Sequence, residues 1–309
     1  YNCVFMCRRR RFDESTCDEV TDSYQIGQPI ESAGIGVVVS CGNSVSEFQV
    51  GDLVLTGAWP WQSDLLQKSE KLTKIPQSLN LLIPITNLLG DVGSTGLAAH
   101  SLMRLVESCG PDDVVVISNG VGAVGLVAAQ LAKHTGATVI GICVSDKEAD
   151  VMKSVGCDAT VNCNACDDTH SELNRCLKET GHTSASIYFD GVGGELSESV
   201  FRSLRKDAKI VVCDTVLNHA APMSQKLPDA DERTALVDLC FLRSTSKLAG
   251  LETIFTGFEN APEAFVSMMN GDSGVVGNTD VVVGGGGGDD DGGGGGGDGS
   301  VVVKCGDLP

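Results

Sequence analysis

Apolar residues recur along this chain in two rhythms. In the first part they come as short runs, GIGVVVSC (Gly34–Cys41), GDLVLTG (Gly51–Gly57) and WPWQ (Trp59–Gln62), separated by Gly, Asn and Ser. Runs of this length between turn-forming residues predict strands and turns up to about residue 90, as in an all-β module. From about Asn87 helical and strand rhythms alternate. STGLAAHSLMRLVESCG predicts a helix and DDVVVIS a strand buried on both faces. There follow a helix after Gly122 that Gly136 ends, strand TVIGICV, helix DKEADVMKSVG, strand ATVNC, helix THSELNRCLKETG, strand SIYFD, helix ELSESVFRSLRK and strand KIVVCD. Strands alternating with helices of this length predict a doubly wound parallel sheet, with five strands between Val114 and Asp214.

The rhythm is lost near the end. GGGGGDDDGGGGGGDGS (Gly284–Ser300) lies between two Val triplets, and glycine at this density cannot offset its chain entropy by burial, so a flexible insertion is expected. G-G-x-G-x-D occurs there twice, at Gly284–Asp289 and Gly293–Asp298. Two copies fall short of the three or more stacked repeats of a calcium-binding roll.

Composition narrows the picture. The 309 residues allow two domains, and an apolar fraction of 42% with only 5% aromatics suits an α/β protein. No run approaches the roughly 20 apolar residues of a spanning helix. A net charge of −19 argues against nucleic acid or an anionic membrane as partner. The four cations Arg8–Arg11 read as a solvated face, with phosphate contact as the alternative. The chain opens at Tyr1 with no Met, basic flank or apolar signal core, and reads as lacking its true start. Its thirteen cysteines are scattered singly, the pattern of reduced cytosolic thiols, and a cytoplasmic location is expected. Cys163 and Cys166 form one C-x-x-C without a second such pair, which favours plain thiols over a metal site.

The candidate chemistry lies in VVVISNGVGAVGLVAAQLA (Val114–Ala132), where Gly120-x-Gly122-x-x-Gly125 follows a strand and opens a helix. In a unit of about 30 residues this context predicts a dinucleotide cradle: backbone can approach a pyrophosphate, and free amides at the helix start meet its charge. The second strand closes with Ile142, Cys143 and Val144 rather than a carboxylate. Ser145 and Lys147 then offer a hydroxyl and an ammonium to a 2′-phosphate, so NADP(H) is expected. Asp146 is the residue that would reverse this preference; its other role is the N-cap of the next helix.

Around these residues the chain resembles the medium-chain dehydrogenase/reductase superfamily, in its zinc-free prostaglandin reductase branch. The resemblance is carried by GIGVVVSC, GDLVLTGAWPWQ, VGAVGLVAAQLA, IYFDGVGGELSESV and ETIFTGFENAPEAFVSMMNG, in family order over most of residues 1–280. The G-H-E motif and four-cysteine cluster of the zinc branch are absent. The resemblance implies a truncated GroES-like catalytic domain (1–90), a Rossmann domain (91–225), a return to the catalytic domain (226–280), and the insertion with a C-terminal strand (281–309). It further implies NADPH-dependent reduction of the conjugated double bond of 15-keto prostaglandins or similar enones, without metal, by a monomer or homodimer. A quinone or alkenal reductase, or a divergent non-catalytic member, remain alternatives.

Residue by residue, the resemblance places the pyrophosphate loop at Gly122, Ala123, Val124 and Gly125. The lysine for the 2′-phosphate falls at Glu148, with Lys147 one place earlier. Other cofactor positions fall at Ser145, Cys163, Gly191, Cys213 and Asn278, with Ser273 competing for the last. His219 stands where the family has a tyrosine beside nicotinamide and substrate, and a histidine there can donate a hydrogen bond. An aromatic pair of the substrate pocket falls at Gly57 and Ala58, a second pocket tyrosine near Val20, and Trp59 and Trp61 are expected as apolar wall or as ordinary core. The sixth Rossmann strand is expected to be missing between about Ala221 and Asp229.

Overall fold

The structure is a computed structural model that describes residues 4–6, 29–62, 64–106, 108–212, 230–250, 252–256, 258–270, 280–284 and 300–304. An antiparallel sheet is built around β2 (Glu31–Cys41), which pairs with β1 (Val4–Met6), β3 (Leu53–Pro60) and β13 (Ser300–Lys304). Outside these lie β4 (Asp64–Lys68), paired with β13, and β5 (Thr73–Ile75), paired with β3. The two Val triplets of the sequence take different partners. The second fills β13, while the first, in β12 (Asp280–Gly284), runs parallel to β11 (Glu252–Thr256). One face of the antiparallel sheet buries Val38, Val54, Trp59 and Leu65 against Ala261 and Ala264 of a helix at Ala261–Asn270. Gly34 permits this packing, because a Cβ there would lie 3.0 Å from the Trp59 ring.

The second sheet is parallel, in the order β10-β9-β6-β7-β8. Its strands are β6 (Val114–Ile117), β7 (Thr138–Cys143), β8 (Ala159–Asn162), β9 (Ala185–Asp190) and β10 (Leu204–Val212). The helices are α1 (Ser94–Leu105), α2 (Ala123–His134), α3 (Asp146–Ser154), α4 (Thr169–Glu179), α5 (Gly194–Phe201), α6 (Ala230–Ser244) and α7, the Ala261–Asn270 helix. Alternation along β6 explains its unbroken apolar run. Val115 and Ile117 face α1, α2 and α6, whereas Val114 and Val116 face α4 and α5. Each such valine contributes about 1.5–3 kcal/mol by burial. Gly136, at φ +90°, takes the left-handed position after α2 as expected.

One expectation is corrected. Helix α5 ends at Phe201 rather than running through Lys206: Leu204 already pairs with Ala185, and an irregularity before Lys209 lengthens β10 at its start. Within residues 226–280, the first part and the last enter different cores. Leu239 and Cys240 of α6 join the large core containing α1 and α2, while α7 packs on the antiparallel sheet. Polar contacts hold the first part in place. Gln130 of α2 donates to the Ala249 carbonyl (3.0 Å) and accepts from its amide (2.6 Å), and Arg243 Nε donates to Asn87 Oδ1 (3.1 Å) and meets Asp91 Oδ2 at 3.2 Å.

Candidate functional site

In a parallel sheet every strand ends at the same edge, and the connections leaving these ends form the site. Residues Ser118–Gly122 join β6 to α2. Asn119 turns the chain in the left-handed region (φ +55°), its carbonyl accepts from the Gly122 amide (2.9 Å), and the Gly120 amide donates to Ile142 O of β7 (3.3 Å). Gly122 is the N-cap of α2 and supplies no side-chain acceptor, whereas Ser145 caps α3 and Asp168 caps α4. The first amides of α2, at Ala123, Val124 and Gly125, are therefore left without a capping side chain.

The three glycines of the motif serve two purposes. A Cβ on Gly125 would lie 2.5 Å from the Asn119 carbonyl oxygen, so its absence lets the helix start against its own loop. Gly120 instead makes room for a core side chain: a Cβ there would fall 2.2 Å from Met152 Cε, and one on Gly141 of β7 would fall 2.1 Å from the same atom. A Cβ on Gly122 would lie 2.7 Å from Asn119 Nδ2 and 3.1 Å from the Asn119 carbonyl oxygen, so this glycine too lets the loop fold closely on itself.

Neighbouring β6 and β9 lead their following helices to opposite sides, which makes the gap between their ends the topological switch point. A buried polar cluster forms its floor. Ser118 Oγ accepts from the Gly191 amide (2.9 Å) and from the Tyr188 hydroxyl (3.1 Å). Asp190 Oδ1 accepts from the amides of Val192 (3.1 Å) and Gly193 (2.8 Å) and from Tyr188 (3.2 Å), while Oδ2 accepts from Ser197 Oγ (2.6 Å). Burial opposes ionisation of Asp190, but these donors outweigh it and hold the carboxyl below its usual range. Burial pushes the Tyr188 hydroxyl up to about 12, so it stays a donor. Gly191 backs onto the first loop, since a Cβ there would sit 3.0 Å from Ser118 O. Spacing in the sequence gives no sign of this cluster, whose members come from positions some 70 residues apart; the one signal that could have found it is the strand-terminal place of Asp190 in IYFDG.

At the tip of β7, Ser145 Oγ accepts from the Glu148 amide (3.3 Å) and Glu148 Oε2 accepts from the Val144 amide (2.8 Å). This is a capping-box arrangement reaching one residue further back. The N-cap of α3 is thus Ser145, correcting the alternative role given to Asp146, which lies in the first turn and accepts from Asn162 Nδ2 (2.8 Å). Lys147 is exposed beside them. Cys163 follows β8, its amide donating to Cys143 O (2.9 Å). Burial lifts the thiols of Cys143 and Cys157 to about 11 and about 12, leaving both protonated at neutral pH. Among the described residues no disulfide forms and no three His, Cys, Asp or Glu side chains converge as a metal cluster would.

On the antiparallel sheet, Gly57, Ala58 and Trp59 lie in β3. Trp59 corrects the expectation of a pocket wall: it is 0% exposed, sits in the sheet's core, and its indole N–H donates to Gln62 O (3.1 Å). Trp61 stays half-buried, donating to Ser32 Oγ (3.0 Å) with its ring edge-on to Phe265 at 5.6 Å. His219, Cys213, Asn278, Ser273, Val20 and Arg8–Arg11 lie outside the described residues.

Comparisons with known proteins agree with this architecture. Residues 123–244 match the family model of zinc-binding dehydrogenases. Prostaglandin reductase 1 of Bos taurus is 29% identical over 252 residues, covering 74% of either chain. The putative NADP-dependent oxidoreductase YfmJ of Bacillus subtilis (strain 168) is 28% identical over 281 residues, covering 82% of this chain and 78% of its own. Among solved structures, CurA of Vibrio vulnificus in complex with NADPH superposes with a TM-score of 0.65 at 20% identity, over 92% of this chain and 88% of that one. Escherichia coli quinone oxidoreductase complexed with NADPH gives 0.61 at 18%, over 91% and 90%. At such identity these two likenesses are of fold.

Proposed function

We propose that the chain is a zinc-free member of the medium-chain dehydrogenase/reductase family, on its prostaglandin reductase side, and an NADPH-dependent reductase of conjugated carbon–carbon double bonds. The observation that carries the reading is the uncapped start of α2 at the switch point of the parallel sheet, with Gly122 and Gly125 in place. Beside Gly122, the amides of Ala123, Val124 and Gly125 receive the pyrophosphate, the helix dipole adding to their pull. Gly191, held by Ser118, lines the crevice where the two loops meet. Ser145, Lys147, Glu148 and Cys163 lie toward the adenosine end, and Cys213 and Asn278 complete the contacts that the resemblance implies.

A dinucleotide held there would supply the hydride for the β-carbon of an enone, with negative charge developing on the ketone oxygen and the α-carbon taking its proton from solvent. The protein's part is to hold the reactants in line and to donate to that oxygen, a role assigned here to His219. The resemblance assigns Gly57 and Ala58 of β3 to the substrate side. The sequence phrases resemble prostaglandin reductase 2, the 15-oxoprostaglandin 13-reductase, and curated relatives are named prostaglandin reductase 1; both support 15-keto prostaglandins as the substrate within the enone and alkenal class.

Fluorescence titration with NADPH and NADH tests the site. Turnover is then followed by loss of NADPH absorbance with a 15-keto prostaglandin, a small alkenal and a quinone. Saturable binding with turnover of the prostanoid is expected. Binding with turnover of the alkenal or quinone alone retains the reductase and removes the prostanoid, whereas no binding of either coenzyme removes the assignment.

A further inference from the structure

We propose that Glu148 is a specificity residue for the coenzyme, lowering the chain's preference for NADPH over NADH to the point where it uses both. The inference rests on the coenzyme site proposed above. The carboxylate is the observation: it is not at the end of β7 in sequence, yet the fold returns it there. Helix α3 begins directly after the strand, and Glu148, in its first turn, reaches back so that Oε2 accepts from the Val144 amide at 2.8 Å. Its own amide is tied to Ser145 Oγ, so the carboxylate is held at both ends of this short path. Among the described residues nothing bonds to its second oxygen, Oε1.

The tip of β7 adjoins the glycine loop, because the Gly120 amide donates to Ile142 O. A dinucleotide with its pyrophosphate on α2 carries its adenosine ribose across the end of this second strand. A carboxylate held there accepts a hydrogen bond from a ribose 2′-hydroxyl. Toward a 2′-phosphate the same group acts as a like charge. The first turn of α3 carries a second carboxylate, Asp146, and Lys147 is the one cation interposed between the two in sequence. The balance on this turn is therefore negative where the extra phosphate of NADPH would come to lie.

The experiment is a titration of the full chain with NADPH and NADH, in the wild type and in Glu148→Gln. Glutamine keeps an oxygen for the Val144 amide and can still bond a ribose hydroxyl, but has no charge. The wild type is expected to bind the two coenzymes within about tenfold of each other. Glu148→Gln should tighten NADPH by about tenfold and leave NADH within about threefold, and Glu148→Lys should move the ratio further the same way. A ratio unchanged by both variants overturns the proposal while leaving the reductase reading intact. Should the variants prove unfolded by thermal melting, the wild-type ratio decides: a preference for NADPH above about a hundredfold overturns it. If neither coenzyme binds the folded wild type, the reading beneath the proposal has failed, and the proposal with it.

Discussion

Ser118 Oγ and Asp190 Oδ1 lie 3.5 Å apart at the ends of adjacent strands, although 72 positions separate them in the chain. The Tyr188 hydroxyl is within 3.2 Å of both, and between them they engage the amides of residues 191–193. The β9–α5 connection is thereby fastened to the end of β6, beside the start of α2. Fixing one wall of the crevice relative to the other is a matter of hydrogen bonds inside a buried site, where each unmade bond is costly.

Replacing Asp190 by Ala leaves the amides of Val192 and Gly193 and the Ser197 hydroxyl without this acceptor, while the Tyr188 hydroxyl keeps Ser118 Oγ. The expected loss is about 2–4 kcal/mol of stability, measured by urea unfolding. Coenzyme affinity should fall with it, since the loop after Gly191 loses the acceptor that holds Val192 and Gly193. A loss below about 0.5 kcal/mol would show that the cluster does not hold the loop.

The same carboxyl gives a pH dependence with a definite sign. Its folded pKa lies below the unfolded value of about 3.9, so its stabilisation is whole above that value and is lost as pH falls through the lower, folded one. The stability difference between the wild type and Asp190→Asn should thus be level above about pH 5 and narrow below about pH 4. Urea unfolding across acid buffers measures it; a difference independent of pH would contradict the assignment.

Gly120 and Met152 are predicted to be coupled. Gly120→Ala alone places a methyl 2.2 Å from Met152 Cε and should cost about 1–3 kcal/mol by overpacking. In a Met152→Ala background the clash is gone, so the same change should cost at least about 1 kcal/mol less. Additivity in this double-mutant cycle would mean that the first glycine of the motif serves something other than packing.

Cys143 and Cys157 should react with an aromatic disulfide reagent at neutral pH only as fast as the protein opens, because burial keeps both thiols protonated and out of reach. Prompt labelling of either position, located by mass spectrometry, would contradict the packing around β7 and β8.

Much of the fold was legible in the periodicity of the chain. The run VVVI could be read as a strand covered on both faces because it contains no polar residue, and Gly122 could be placed at a helix start by what precedes and follows it. The strand-and-turn reading of the first segment gave no pairings, since pairing partners such as β2 and β13 lie some 260 residues apart and alternation carries no partner information. Within the site, the glycine pattern pointed to the α2 start but not to the division of labour among its glycines, because Met152 enters from a different helix. Trp59 was offered two places by its aromatic character, and the surrounding side chains gave it to the core.

Local residue order, then, determined which stretches become strands and helices and where the backbone could approach an anion, because dihedral preference and hydrophobic period act over a few neighbours. Tertiary structure decided which strand ends meet, that Ser118 and Asp190 share a buried donor, and that Glu148 lies at the tip of a strand it does not belong to. Such contacts depend on packing between segments far apart in the chain, and that packing is settled by the burial of both faces of the sheet at once.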